Sequence, residues 1–401
     1  MSAPRPVELV PRLDEQGYSA ECVAERRRWV EERTGARLTH VGSHSIDSAR
    51  MRGNVENPIG AVQMPLGVAG PLLVDGEHAR GVFYVPLATT EGALVRSYER
   101  GMVALTRAGG ARVRLWADEN RVAPVFLLAD VAEARDFAGE VAAGFESIRA
   151  AAESTTRHGR LLRLECLPIG REVIVSFSYH TGDAQGMNMA VKATDAACRW
   201  IVANTRAKRY FIFSGFDSEK RASGSLLAGG KGKKATAGAE LSPALVRAYL
   251  HSTPERLVEM WRHTLLGHLQ AAATGYNGHY ANGLAALFIA CGQDVANVAN
   301  SAVGITSFEV TPTGSLYASV TLPSLSVATV GGGTALGTSR ECLEMLGCAG
   351  QGGAPKLAEI VAATLLAGEL SMGAAIASGE FVEAHEAYGR NRPEVEGGGA
   401  A

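Results

Sequence analysis

The sequence carries almost no surplus charge: 39 Lys and Arg stand against 41 Asp and Glu, for a net charge of -2. A chain so balanced has no broad electrostatic footprint for nucleic acid or an anionic membrane, so neither is expected as a partner. Anionic ligands would need local pockets. Cysteines are few and scattered, at 22, 166, 198, 291, 342 and 348, with no CxxC pair and no ligand-like His spacing. That argues against a disulfide framework and a zinc site, and no metal is expected. The N-terminus lacks a basic segment followed by an apolar run, and apolar stretches such as 284–291 are far too short to span a bilayer. A cytoplasmic protein is expected. Nucleotide signatures are missing as well: no GxGxxG follows a strand, and GGKGKK at 229–234 lacks the first Gly and final Ser/Thr of a Walker A loop. On its own that segment reads as a mobile basic connector.

What is present is the composition of a globular protein, 46% hydrophobic and 20% charged. At 401 residues the chain is long for one core and suggests two or three domains. Residues 18–34 have the pattern of a surface helix, 56–90 that of strands and tight turns, and 92–107 that of a further helix. From 116 to 212, strand-like runs (124–128, 173–179) alternate with helical ones (130–151, 186–203), as in a small inserted α+β domain. The polar, Gly-rich stretch 214–234 reads as a connector or functional loop. Beyond it, Ala- and Gly-rich helical segments (244–273, 278–302, 354–378) are broken by a strand-like pair around 306–324 and the turn TVGGGT.

Several segments resemble one family. ENPIGAVQMPLGVAGPL at 56–72 and PLATTEG at 86–92 look like the opening signature of the 3-hydroxy-3-methylglutaryl-coenzyme A (HMG-CoA) reductases. GDAQGMNM at 182–189, GYNGHYAN at 275–282, IACGQDVAN at 289–297, TVGGGT at 329–334 and LLAGELSMGAA at 365–375 follow in the family's order. The TTEG form resembles class I, the class of eukaryotes and archaea. The resemblance implies an α+β fold: a large helical domain (56–115 and 222–390) with a central Gly-rich helix, interrupted by a ferredoxin-like NADP(H)-binding domain (116–212). A helical N-terminal region (1–55), a connecting catalytic loop (213–221) and a disordered tail (391–401) complete it. One continuous sheet through both domains would contradict this picture.

The family's catalytic set falls on Glu91, Lys220, Asp294 and His385. Around Lys220 the chain departs from the family, reading SEKRASGSL where a run like DKKPAAINW is usual, which leaves Lys233 as a rival. Asp294 reads as a carboxylate on an apolar helix that needs a partner such as a lysine. The resemblance assigns the substrate carboxylate to Arg114, Arg221 and Arg262, further hydrogen bonds to Ser97, Ser214, His279 and Asn282, and the CoA phosphates to Arg100. It gives the dinucleotide to Asp183, Met187 and Asn188, with Gly331, Gly332 and Gly333 allowing a backbone approach. Thr156 and Arg157 match a Ser-Arg pair near a 2′-phosphate and imply NADPH.

The implied reaction is a two-hydride reduction of an acyl thioester. Lys220, held charged by Asp294, would stabilise the oxyanion. Glu91, kept protonated by a buried carboxylate neighbour, would donate to the aldehyde oxygen, and His385 would protonate the departing thiolate. A homodimer or homotetramer with the site at the chain interface is implied. Two alternatives stay open: a family member reducing another acyl thioester, on CoA or a carrier protein, and a catalytically silent CoA- or nucleotide-binding relative.

Overall fold

The computed structural model describes residues 9–13 and 17–379; His385 and the tail 391–401 lie outside them. The chain opens with α1 (Ala20–Thr34), started by the Ser19 hydroxyl accepting from the Cys22 N–H and stopped by Gly35 in the left-handed region. Then come α2 (Thr39–Gly42), the hairpin β1 (Leu66–Asp75) and β2 (Arg80–Ala88), and α3 (Leu94–Arg107). The middle holds β3 (Ala111–Val122), β4 (Val125–Leu127), α4 (Val131–Ala143), α5 (Phe145–Glu153), β5 (Arg160–Ile169), β6 (Glu172–His180), α6 (Met187–Asn204) and β7 (Arg209–Phe211). The last part holds β8 (Lys231–Leu241), α7 (Pro243–Leu250), α8 (Pro254–Gln270), α9 (Tyr280–Ala290), α10 (Val298–Ser301), β9 (Ile305–Val310), β10 (Leu316–Leu325), α11 (Gly337–Met345) and α12 (Gly353–Ser378).

The fold is mixed α/β. Among the described residues the strands form one ten-stranded sheet, with the path β7-β4-β6-β3-β8-β10-β9, antiparallel apart from a short parallel contact of β1 with β3. That continuity corrects the expectation of separate sheets. The cause is the length of β3: Arg112–Asn120 pair with β8, and Asn120–Val122 reach on to pair with β6. Side-chain burial nevertheless divides in two. Phe126, Phe137, Phe177 and Ile201 belong to one core under α4–α6, while Tyr98, Leu284, Val320 and Leu365 belong to a larger one around α12.

Two sequence expectations change here. The basic segment is not a mobile connector, because Lys231 begins β8, and both Lys231 and Lys233 are buried. Each ammonium has found an acid, Glu219 for Lys231 and Asp118 for Lys233. Longer apolar stretches also exist: α12 has 26 residues and contains an 18-residue stretch with a mean hydropathy of 1.8, by length and composition enough to cross a membrane. It is instead a core helix, with 83% of its apolar window buried inside the fold.

Glycine lets α12 sit there. A Cβ on Gly101 of α3 would lie 1.9 Å from the Ala367 carbonyl oxygen of α12, so the two backbones touch. Gly101→Ala should therefore destabilise the protein by about 1–3 kcal/mol through overpacking. A lower denaturant midpoint at unchanged slope is the expected reading, and an unshifted midpoint would show that the helices can separate freely.

Candidate active site

The connection between β7 and β8 carries the first reactive group. Ser218 and Lys220 both occupy the left-handed backbone region, at φ 53 and 56, which non-glycine residues adopt at a cost. This bend aims Lys220 at Asp294, and Nζ lies 2.8 Å from Oδ2. The hydrogen bond that Lys220 donates to Asp294 holds the lysine pKa above its ordinary value against the opposing effect of burial, so the side chain remains an ammonium at neutral pH. Lys233, the rival, points to Asp118 instead.

Asp294 is not within a helix, as the sequence suggested, but in the turn beyond α9, where it also accepts from the Ala296 N–H at 3.1 Å. The turn packs against the Gly-rich one: a Cβ on Gly292, itself at φ 63, would meet the Gly333 carbonyl oxygen at 2.5 Å. Together these segments border a cleft of about 890 Å³, lined by Lys220, Asp294, Met187, Asn188 and Gly331–333 among others.

The cleft suits an extended dinucleotide. Gly331 and Gly332 have positive φ, and no protein atom lies within 4 Å of where their Cβ atoms would be. Their backbone is thus open to a ligand, although the glycine requirement there is conformational rather than steric. Asp183 does not face the cleft; its carboxylate accepts from the Gly352 and Ala354 N–H groups at 2.8 and 3.1 Å, capping α12. Thr156 donates to the Met189 sulfur at 2.9 Å and accepts from two loop N–H groups, while Arg157 is exposed beside it.

A second cluster lies apart from this cleft. Glu91 occupies the turn between β2 and α3, as the sequence implied, and accepts from Asn282 through both oxygens at 3.0 and 2.8 Å. It is exposed, so a single chain does not supply the buried carboxylate setting expected for it. His279 packs at a tilt against Tyr98, with ring centroids 5.1 Å apart, and its Nε2 is buried without a hydrogen-bond partner among the described residues. Ser97 and Arg100 both donate to the Ser371 hydroxyl, at 3.2 and 3.0 Å.

The three arginines expected at the substrate carboxylate lie on different segments of the chain. Arg114 lies on the exposed side of β3 and donates to the Asp75 and Val113 carbonyls, and Arg262 is exposed on α8. Arg221 faces Asp217 at 3.9 Å, and Ser214 is turned to the Ala123 carbonyl at 2.7 Å. Sequence reasoning missed Glu219 and Gln185, which line the cleft beside Lys220, and Gly53 and Asn54 on its rim. Glu219 adjoins Lys220 in an acid-lysine-base run but carried no assigned role, whereas Gln185, Gly53 and Asn54 have no spacing signal because only the fold brings them to the cleft. The six cysteines are free thiols, and burial pushes Cys166 up to about 11 and Cys348 up to about 12.

A lysine fixed by a carboxylate at the edge of an open, glycine-bordered cleft is the equipment of an enzyme that stabilises a developing oxyanion. Comparison with known proteins specifies which one. The family model described as Hydroxymethylglutaryl-coenzyme A reductase matches residues 22–390, and the chain belongs to that family. It is 43% identical to the 3-hydroxy-3-methylglutaryl-coenzyme A reductase of Methanocaldococcus jannaschii, over 94% of this chain and 95% of that protein. It is 45% identical to that of Aeropyrum pernix, over 94% and 92%. Among solved structures, the reductase of Streptococcus pneumoniae superposes with a TM-score of 0.69 at 18% identity, covering 91% of this chain and 99% of that one. A class II enzyme of the same organism bound to NADPH in open conformations gives 0.67 at 18% identity, covering 91% and 100%. At that identity the likeness concerns the fold alone.

Proposed function

We propose that the protein reduces HMG-CoA to mevalonate and free coenzyme A, consuming two NADPH and two protons, as a class I enzyme of its family. The observation that carries this reading is the Lys220–Asp294 pair, 2.8 Å apart at the edge of the glycine-bordered cleft. NADPH, when bound, supplies the hydride chemistry; Met187, Asn188 and the backbone of Gly331–333 would hold it. Lys220 holds positive charge where the thioester and then the aldehyde oxygen becomes negative, and Asp294 keeps that charge in place. Glu91, oriented by Asn282, is the proton donor to the aldehyde oxygen. HMG-CoA-dependent oxidation of NADPH, with two equivalents consumed per mevalonate, tests the reading. No oxidation with HMG-CoA, but turnover with another acyl thioester, would favour the alternative substrate that the altered loop 214–234 allows.

Two further expectations follow from the same reading. Arg157→Ala should lower the preference for NADPH over NADH about tenfold, the scale of one charge-assisted contact; an unchanged ratio of kcat/KM values would remove Arg157 from the cofactor site. Glu91 and Asn282 do not line the cleft of their own chain, so the site is read as completed by a second copy, with the small domain of one chain presenting cofactor to the other. Sedimentation at assay concentration should show the active species as a dimer or larger, and a fully active monomer overturns it.

A further inference from the structure

Beneath Lys220 lies a group to which no role is assigned above. Lys231 is fully buried at the start of β8, where an ammonium is costly unless its partners are fixed. Three neighbours surround it: the Glu219 carboxylate, the Arg121 carbonyl oxygen at 3.0 Å and the Met187 sulfur at 3.3 Å. Glu219 precedes Lys220 in the chain and sits between the two left-handed residues, Ser218 and Lys220. Its other oxygen accepts from Gln185 at 3.3 Å, just ahead of α6. A strained bend persists only where its surroundings over-determine it, and here the fixed point is a buried charge.

We propose that Lys231 is a positioning residue for the reduction. By clamping Glu219 it holds the bend that aims Lys220 at Asp294, and by touching Met187 it ties that bend to the helix that borders the cofactor's place. The inference rests on the reading of Lys220 as the oxyanion partner. Burial holds the Lys231 pKa below its ordinary value, opposed chiefly by the charge and hydrogen bond of Glu219, so the clamp depends on that carboxylate staying in place.

The test uses the full-length protein with HMG-CoA and NADPH. Lys231→Met should lower kcat by roughly tenfold or more while KM for both substrates stays within about threefold, the signature of an interaction realised in the transition state. Glu219→Gln should do the same. The double variant should be no slower than the slower single one, because both remove one contact. A folded Lys231→Met enzyme with wild-type kcat, or a double variant whose loss is the product of the two singles, overturns the proposal. Should Lys231→Met fail to fold, Glu219→Gln carries the test alone, and wild-type kcat in that variant is equally fatal. Lys220→Ala run in parallel separates the two ideas: if it keeps turnover, the oxyanion reading itself is wrong. If it loses turnover while Lys231→Met does not, only the positioning role falls.

Discussion

Lys220→Ala is expected to reduce kcat by about 100-fold or more, the scale for losing one oxyanion partner, or roughly 2.7 kcal/mol of transition-state stabilisation. KM for HMG-CoA should move far less, since the charge matters most when the carbonyl oxygen becomes negative. The folded protein should hardly notice, because the side chains of Lys220 and Asp294 are 47% and 39% exposed and such pairs contribute little to stability. The sign of the pKa shift adds a pH expectation. Asp294 raises the Lys220 pKa, so this residue's charge, and the rate that depends on it, is retained as pH rises through the ordinary lysine range and lost only above it. Near-normal turnover in Lys220→Ala together with its abolition in Lys233→Ala would move the site to β8. The geometry opposes that outcome, because Lys233 is engaged with Asp118.

Glu369→Ala should be the most damaging change away from the cleft. This buried α12 carboxylate accepts from the Gly278 and His279 N–H groups, both at 2.8 Å, and from the Thr306 hydroxyl at 2.7 Å. Removing it leaves those donors unpaired in the core, at a cost of about 3 kcal/mol or more. The loop it fastens leads into α9, where Asn282 grips Glu91, so activity should fall as well as stability. Denaturant unfolding reads the first effect and steady-state kinetics at a temperature where the variant stays folded reads the second. A variant as stable as the parent would mean that water satisfies the three donors. Glu359, about three turns earlier on α12, does a similar task, accepting from the N–H groups of Glu77, His78 and Ala79.

Much of this arrangement was legible in the residues. Helices α1, α3 and α6 begin and end within a few residues of where the apolar pattern places them, and Glu91 lies in the strand-to-helix turn that its motif implied. Local chemistry decides such features: a Ser side chain starts α1 and a Gly stops it whatever lies elsewhere in the chain. The motif order was equally readable and led to the family.

Long-range pairing decided the rest. A β3 long enough to serve two neighbours joins regions that read as separate, and a segment rich in Lys and Gly becomes strand β8 because Glu219 and Asp118 stand where its ammonium groups turn inward. Asp183 resembled a cofactor ligand but caps α12, from a position 169 residues away from Gly352 in sequence. The sequence by itself determined the local elements and the family, since those depend on neighbouring residues and ordered motifs. Only the tertiary structure decided which buried charges met and where Lys220 points, because an ion pair is set by distance in space, which the order of residues does not contain.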